Sequence, residues 1–487
     1  MAVTTNASRL AGYFSAAGLV AAVFSLFSFT RADPDLWGHV RFGLDTLQTW
    51  SLPSVDPYSF TQDTPWINHE WLSELQMGLA WAAGGTVGLA LLKGLLVFSV
   101  FGLVWARLQG ADPAARLFVL LALAIGTARM VQTLRPQLWS LLCLVVLLRI
   151  LTSSHLRSRW WLPVLFAFWA NVHGGWFVGL AVLAVWSIVE AWFEPSRRRG
   201  LGLLVGLCVL STLATPYGWQ LWDFLARTVR MTRNIGEWQP ISTVHPLVWA
   251  PWLAAVAGSV WLALRRDTAG LAAAAVLLML AYASFRVERI TPLFVTAAAL
   301  LVGSRLGQRW PGRIALPDVR RGRQLALMCA AGAVLWTASA LLASRTLMCI
   351  PVEGEWVPER EVAGRLDAAR AGRLVVFFDW GQYALWHWGA DVKVSMDGRR
   401  ETVYSDARIA EHAAILDGAP QGLEALETWR AEYVWLPLRN GVTERWLVDH
   451  GYRIEARSDR SYLAVRADLS VLPVPSEAAS SRRCFPF

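Results

Sequence analysis

The stretch Arg31-Ala-Asp-Pro-Asp-Leu-Trp-Gly-His39 follows directly on an apolar run, Leu10 to Phe29. Two carboxylates, an arginine and a histidine therefore stand where a hydrophobic segment ends. An uncharged run of about 20 residues is what a membrane-spanning helix needs. The run has one nearby arginine and no small-residue cleavage site, so it reads as a retained helix rather than a signal peptide. Ionisable residues at the edge of a bilayer are costly and mark sites of function. The question is what other segments reach the same edge.

The rest of the chain supports a polytopic reading. It has 487 residues, of which 55% are hydrophobic and only 17% charged, and its mean hydropathy is +0.39. Apolar runs lie at about 9–29, 86–107, 115–132, 137–152, 160–173, 176–193, 201–216, 247–264, 269–285, 290–304 and 324–343, which makes about eleven spans. Leu72 to Gly84 is apolar but short, and reads as an interfacial or re-entrant lead into the second span. The net charge of +9 does not point to nucleic acid, because the basic residues cluster between spans. Arg197, Arg198 and Arg199 form one cluster, Arg265 and Arg266 another, and Arg305, Arg309, Arg313, Arg320, Arg321 and Arg323 a third. That is the positive-inside pattern of cytoplasmic loops. With the N-terminus in the cytoplasm, an odd number of spans puts residues 344–487 outside.

After Arg345 the sequence changes character. "RLVVFF", "VKVSMD" and "AEYVWLP" are short β-like runs separated by helix-like stretches at Ala407–Leu416 and Glu424–Glu432. "YRIEARSDRSYLAVR" reads as a hairpin turning at Ser458-Asp459. The expected architecture is a transmembrane domain over 1–343, with a large first outer loop at 30–71. A soluble extracytoplasmic α/β domain follows over 344–487. Of the five cysteines, Cys143, Cys208 and Cys329 lie in apolar runs and read as packing residues. Cys349 and Cys484 flank the tail and are placed to form a disulfide if it lies outside the cytoplasm.

Six separate segments bring polar residues to the face opposite the basic loops. The first loop holds Asp33, Asp35, His39 and Arg41, and its far end, "PWINHEWLSE", holds Asn68, His69, Glu70 and Glu74. Further along come Arg129, Arg135 and Gln137, then Asn171 and His173, then Glu237 and Gln239, then Arg286, Glu288 and Arg289. Taken singly, an arginine here is a snorkelling residue and a histidine a satisfied helix end. Together, arginines suit phosphate oxygens, and a carboxylate can act as a general base or hold a metal.

These motifs resemble the GT-C membrane glycosyltransferases, which take a sugar from a polyprenyl phosphate or diphosphate carrier. Asp33-Pro34 with His39 and Arg41 is similar to the Asp-Pro start of the first outer loop in oligosaccharyltransferase catalytic subunits. Phe377-Phe378-Asp379-Trp380-Gly381 is similar to the Trp-Trp-Asp-Tyr-Gly motif that opens their soluble domain. "DPDLWGHVRFG", "DPYSFT", "PWINHEWLSE", "RPQLWS", "WANVHGGW", "PYGWQLW" and "EWQP" resemble phrases that recur in bacterial GT-C-like proteins over nearly the full length. The resemblance implies a multi-pass protein of the bacterial inner membrane with its tail in the periplasm. It implies a polyprenyl-linked sugar donor and a glycan, lipid or protein acceptor.

By the same resemblance Asp33 or Asp35 is the catalytic base. His39, Arg41, His69, Glu70, Arg129, Arg135, Gln137, His173, Glu237, Arg286 and Arg289 line the substrate site, and Asp379 and Trp380 face the acceptor. A divalent metal such as Mg or Mn would draw on Asp33, Asp35 and Glu70, or on the histidines at 39, 69 and 173. The second outer loop, "ARMVQTLRPQ", lacks the carboxylates that complete the metal site in oligosaccharyltransferases. Two other readings share the lipid-linked ligand. One is a non-catalytic transporter or assembly scaffold, which would carry charge at the bilayer midplane, whereas Lys93, the main candidate, sits near one end of its span. The other is an O-antigen-type polymerase or ligase.

Overall fold

The computed structural model describes residues 2–109, 111–228, 236–243, 245–264, 267–309, 321–389, 391–473 and 483–487. Arg265, Arg266, Arg313 and Arg320 of the basic clusters lie outside them. The helices run α1 (Ala2–Phe27), α2 (Leu36–Thr49), α3 (Trp71–Arg107), α4 (Pro113–Val131), α5 (Gln137–Leu151), α6 (Leu162–Val172), α7 (Trp176–Phe193), α8 (Arg198–Ser211), α9 (Gln220–Thr228), α10 (Trp249–Ala263), α11 (Thr268–Arg286), α12 (Thr291–Arg309) and α13 (Arg321–Thr346). The tail adds α14 (Arg360–Ala363), β1 (Gly372–Val376), α15 (Gly381–Trp388), β2 (Val392–Val394), α16 (Asp406–Asp417), α17 (Pro420–Trp429), β3 (Tyr433–Pro437), α18 (Val442–Asp449), β4 (Tyr452–Arg457) and β5 (Ser461–Arg466).

Among the described residues five helices are long and apolar enough to cross a membrane, within α3, α4, α7, α11 and α13. Three shorter apolar stretches lie in α1, α5 and α10. The apolar run before Gly84 and the span after it are two helical segments within α3. The helix is broken at Gly84 (φ −161°, ψ 18°) and Gly85 (φ 55°, ψ −134°). Only glycine adopts the second conformation without strain.

Two compact units emerge: residues 1–30, 83–219 and 232–350, and residues 31–82, 220–231 and 351–487. The segment 31–82 thus folds with the tail. In the first unit, small residues bring helices together. A Cβ at Gly18 would stand 3.1 Å from Leu335, one at Gly126 would stand 2.7 Å from Val295, and one at Gly258 would stand 2.9 Å from Val302. Such close approach is how apolar helices associate where water gives no drive.

The second unit is built on a five-stranded sheet of order β2-β1-β3-β5-β4. β2, β1 and β3 are parallel, and β3, β5 and β4 antiparallel. α15 crosses between β1 and β2, while α16 and α17 join β2 to β3. The first outer loop completes the sheet. Ser59 bridges Val394 in parallel, with Phe60 N–H donating to the Val394 carbonyl and Val394 N–H to that of Tyr58. "DPYSFT" is therefore an edge segment supplied from more than 300 residues away.

A buried charge network locks that edge. Arg399 donates to both oxygens of Asp56 (2.7 and 2.8 Å) and to both of Asp397 (2.7–2.9 Å). Its guanidinium lies over the rings of Phe42, Tyr58 and Trp66. Burial disfavours this cation, but Asp397 and Asp56 more than offset it and hold its pKa above the ordinary arginine value. Cys349 and Cys484 are disulfide-bonded, and Pro351 pairs with Cys484. Cys143 and Cys208 are buried free thiols, and Cys329 is free and exposed.

Candidate active site

In the second unit the acidic loop is shaped by its own sequence. Asp33 Oδ1 accepts the Asp35 N–H at 3.0 Å, an Asx turn of the kind that starts helices. α2 follows, and the Gly38 N–H in its first turn donates to Gln382 Oε1 at 3.1 Å. Gln382 comes straight after the Phe377–Gly381 motif, so the motif's neighbour satisfies an open end of α2. A Cβ at Gly38 would stand 2.2 Å from that amide, and one at Gly398 would stand 2.1 Å from Asp35 Oδ1. Glycine at both positions lets the tail close on the two aspartates. Asp33 is buried at 7% exposure, and Asp35 is half-buried.

α2 and α3 cross backbone to backbone. A Cβ at Gly43 would meet the Glu74 carbonyl at 1.9 Å, and one at Gly78 the Gly43 carbonyl carbon at 2.6 Å. This crossing sets His39 against Glu74, with Nδ1 2.9 Å from Oε1. Glu74 Oε2 accepts from Asn68 Nδ2 at 2.6 Å, and Asn68 Oδ1 accepts the Glu70 N–H. Burial alone would discharge His39. The hydrogen bond and charge of Glu74, with Glu70 and Asp35 behind it, outweigh that and raise its pKa to about 9. At neutral pH it is an imidazolium beside three acidic side chains, Glu74, Glu70 and Asp35.

His39, Glu70 and Glu74 each offer an atom within 4.8 Å of the others. One imidazole and two carboxylates suit Mn or Zn better than Mg, which favours all-oxygen sites. A metal there would take the place of the imidazolium proton, so the ion pair and the metal exclude each other. Asp33 and Asp35 are not in that group. His69 packs its ring on Phe224, with Nε2 3.6 Å from Glu70 Oε1. Arg41 is committed to Asp45 at 2.9 Å, which Tyr58 also holds.

The tail motif divides its roles. Trp380 is buried, stacks on Trp435 at 4.5 Å and donates to the Trp356 carbonyl, so it is core. Asp379 is half-buried at the start of the turn into α15.

In the first unit the arginines form a looser set. Arg129 reaches Glu288 at 3.3 Å. Arg135 and Arg289 both reach Glu237 at 3.5 Å, and Arg289 lies over Trp238. Glu288 is buried, and its N–H donates to the Gln239 carbonyl. Desolvation raises its pKa, with Arg129 opposing. Gln137 is buried with its Oε1 unpartnered. Arg286 is exposed. His173 stands apart with Ser140. Its Nδ1 is 2.7 Å from the Ser140 hydroxyl and accepts the Gly175 N–H. Ser140 Oγ accepts from Trp169, which leaves its own proton for His173. Lys93, buried, donates to the Phe29 carbonyl, closing the end of α1.

Three residues of the acidic cluster were not singled out as site residues from sequence: Glu74, Gln382 and Gly398. For Glu74 the signal was present, since Glu70 and Glu74 are one helical turn apart. Gln382 and Gly398 had none, because their importance lies in what packs on them.

The fold is similar to those of the solved proteins ArnT and AftD. The similarity spans nearly the whole of this chain. ArnT from Cupriavidus metallidurans in the apo state matches with a TM-score of 0.55 at 12% identity, covering 93% of this chain and 97% of that one. The same protein bound to undecaprenyl phosphate gives 0.52 at 12% identity, covering 95% and 98%. The arabinofuranosyltransferase AftD from Mycobacteria gives 0.51 at 16% identity, and 95% of this chain covers 40% of that longer one. No sequence-family profile and no curated protein sequence matches the chain.

Proposed function

We propose that this protein is a membrane glycosyltransferase. It transfers a sugar from a polyprenyl-phosphate-type lipid to an acceptor at the outer face of the bacterial inner membrane. The observation that carries the reading is the carboxylate cluster at the start of α2, held by the tail within a fold shared with ArnT and AftD. ArnT has been seen with undecaprenyl phosphate, and the arginines at 129, 135 and 289 are suited to such a phosphate.

The chemistry is a single displacement. The acceptor hydroxyl oxygen attacks the anomeric carbon, and the bond from that carbon to the carrier phosphate oxygen breaks. Asp33 or Asp35 takes the hydroxyl proton, and the carrier phosphate leaves with the bonding electrons. The His39 imidazolium keeps the neighbouring Glu74 paired.

The test incubates purified protein with polyprenyl-phosphate and polyprenyl-diphosphate sugars and follows carrier release by mass spectrometry. Turnover that disappears in Asp33→Asn or Asp35→Asn supports the enzyme and names its base. Full transfer by both variants would overturn the assignment of the base. Donor binding without turnover across a panel of acceptors would favour a scaffold.

A further inference from the structure

A second charged cavity lies at the other end of the first unit's helices. It has a volume of about 370 Å³ and is lined by Arg107, Arg159, Arg197 and Arg305, by Glu190 and Glu194, and by leucine, alanine, serine and threonine side chains. These come from the ends of α3, α5, α7, α10 and α12 and the start of α11. The 19 residues of α11 separate it from Arg286 and Glu288. At about 1.5 Å per residue that is roughly 28 Å, close to the thickness of a bilayer core. The cavity is therefore distinct from the proposed active site.

Four arginines meet three acids, Glu190, Glu194 and the neighbouring Asp267, and the pairing is incomplete. Glu190 is buried and accepts from Arg159 (2.8 and 2.9 Å), Arg197 (2.9 Å) and Trp186 (3.1 Å). Arg197 also holds Glu194 at 2.7 Å, and Arg305 holds Asp267 at 3.0 Å. Arg107 has no hydrogen-bond or ion-pair partner among the described residues, and the charges acting on it are those of Arg149 and Arg305. Arg159 is 9% exposed, and its Nε is buried with no hydrogen-bond partner. Excess cation in a partly buried site with an unsatisfied guanidinium N–H calls for an anion. Guanidinium groups match phosphate oxygens, and the leucine and alanine walls suit the apolar part of a lipid.

We propose that this cavity binds the phosphate headgroup of an anionic membrane lipid from the leaflet on the basic-loop side. Orientation charge alone would give scattered exposed arginines. It does not require a pocket lined by a buried arginine with an unpaired N–H.

The test is native mass spectrometry of the full chain with dioleoyl phosphatidylglycerol, dioleoyl phosphatidylcholine and inorganic phosphate, on wild type, Arg107→Gln and Arg305→Gln. Arg107 is exposed and unpaired, so its variant keeps the fold, which a melting curve checks. Phosphatidylglycerol should be retained roughly tenfold over phosphatidylcholine, and Arg107→Gln should lose most of that preference. Inorganic phosphate should compete weakly. Equal retention of the two lipids, or an unchanged preference in both variants, overturns the proposal. Inorganic phosphate that binds as well as the lipid shows a soluble-anion site instead, and overturns it too.

Discussion

The two polar clusters differ in how their charges are held. In the second unit His39, Glu74 and Asn68 are buried and joined at 2.6–2.9 Å, with side-chain exposures of 11% and 5% for the first two. In the first unit Arg129 is 58% exposed and reaches Glu288 at 3.3 Å, and Arg135 and Arg289 share Glu237 at 3.5 Å. Tight buried pairs set geometry, and breaking one leaves an uncompensated charge. Long, wet pairs contribute little and exchange readily. On the proposed function, the first kind suits a base that must be placed before substrate arrives. The second suits arginines whose carboxylate partner gives way to a phosphate.

The sharpest way to break this contrast is at the base. Replacing the correct one of Asp33 and Asp35 by Asn should lower transfer by about 10²–10⁴-fold with donor KM nearly unchanged, as read by initial rates. A loss confined to KM would place the aspartates in binding rather than chemistry.

Next comes the network that seats the loop. Arg399→Met strands Asp56 and Asp397, so the unit should lose roughly 3–5 kcal/mol, seen as a large drop in thermal midpoint in detergent. Gly43→Val, aimed at the α2–α3 crossing, should cost about 1–3 kcal/mol by overpacking. A melting point within a degree of wild type would refute the close crossing.

The His39–Glu74 pair predicts a pH window. Folding raises the His39 pKa from 6.5 to about 9, so the folded state binds the proton more tightly than the unfolded one. Its contribution is fully present below about pH 6.5 and disappears as pH rises through about 9. Thermal stability should therefore fall across that interval in wild type and lose that slope in His39→Gln. A wild-type curve that is flat there would contradict the pairing.

The smallest effects belong to the loose arginines. Arg135→Gln and Arg289→Gln should each raise donor KM by about tenfold. Glu237→Gln should change it less than about fivefold, toward tighter binding, because it frees both arginines. An increase on removing Glu237 would show that the carboxylate orients the arginines instead of standing in for the ligand.

Much of this molecule can be read from its letters. Uncharged runs demand helices because no backbone polar group can stay unpaired in hydrocarbon, and the alternating runs at 373–378, 433–437 and 452–466 became β1, β3, β4 and β5. The segment 30–71 reads as a loop, so α2 was missed, although the Asx turn at Asp33-Pro34-Asp35 that starts it depends only on neighbours in the chain. Tertiary structure alone decided the rest. That Ser59 extends the sheet at Val394, that Arg399 binds Asp56, and that Gln382 and Gly398 close on the aspartates are contacts across more than 300 positions, whose geometry no local pattern encodes. The same holds for the cavity at Arg107 and Arg159. The sequence shows basic residues between spans, but only packed helix ends can form a pocket and leave a buried guanidinium N–H at its wall without a partner.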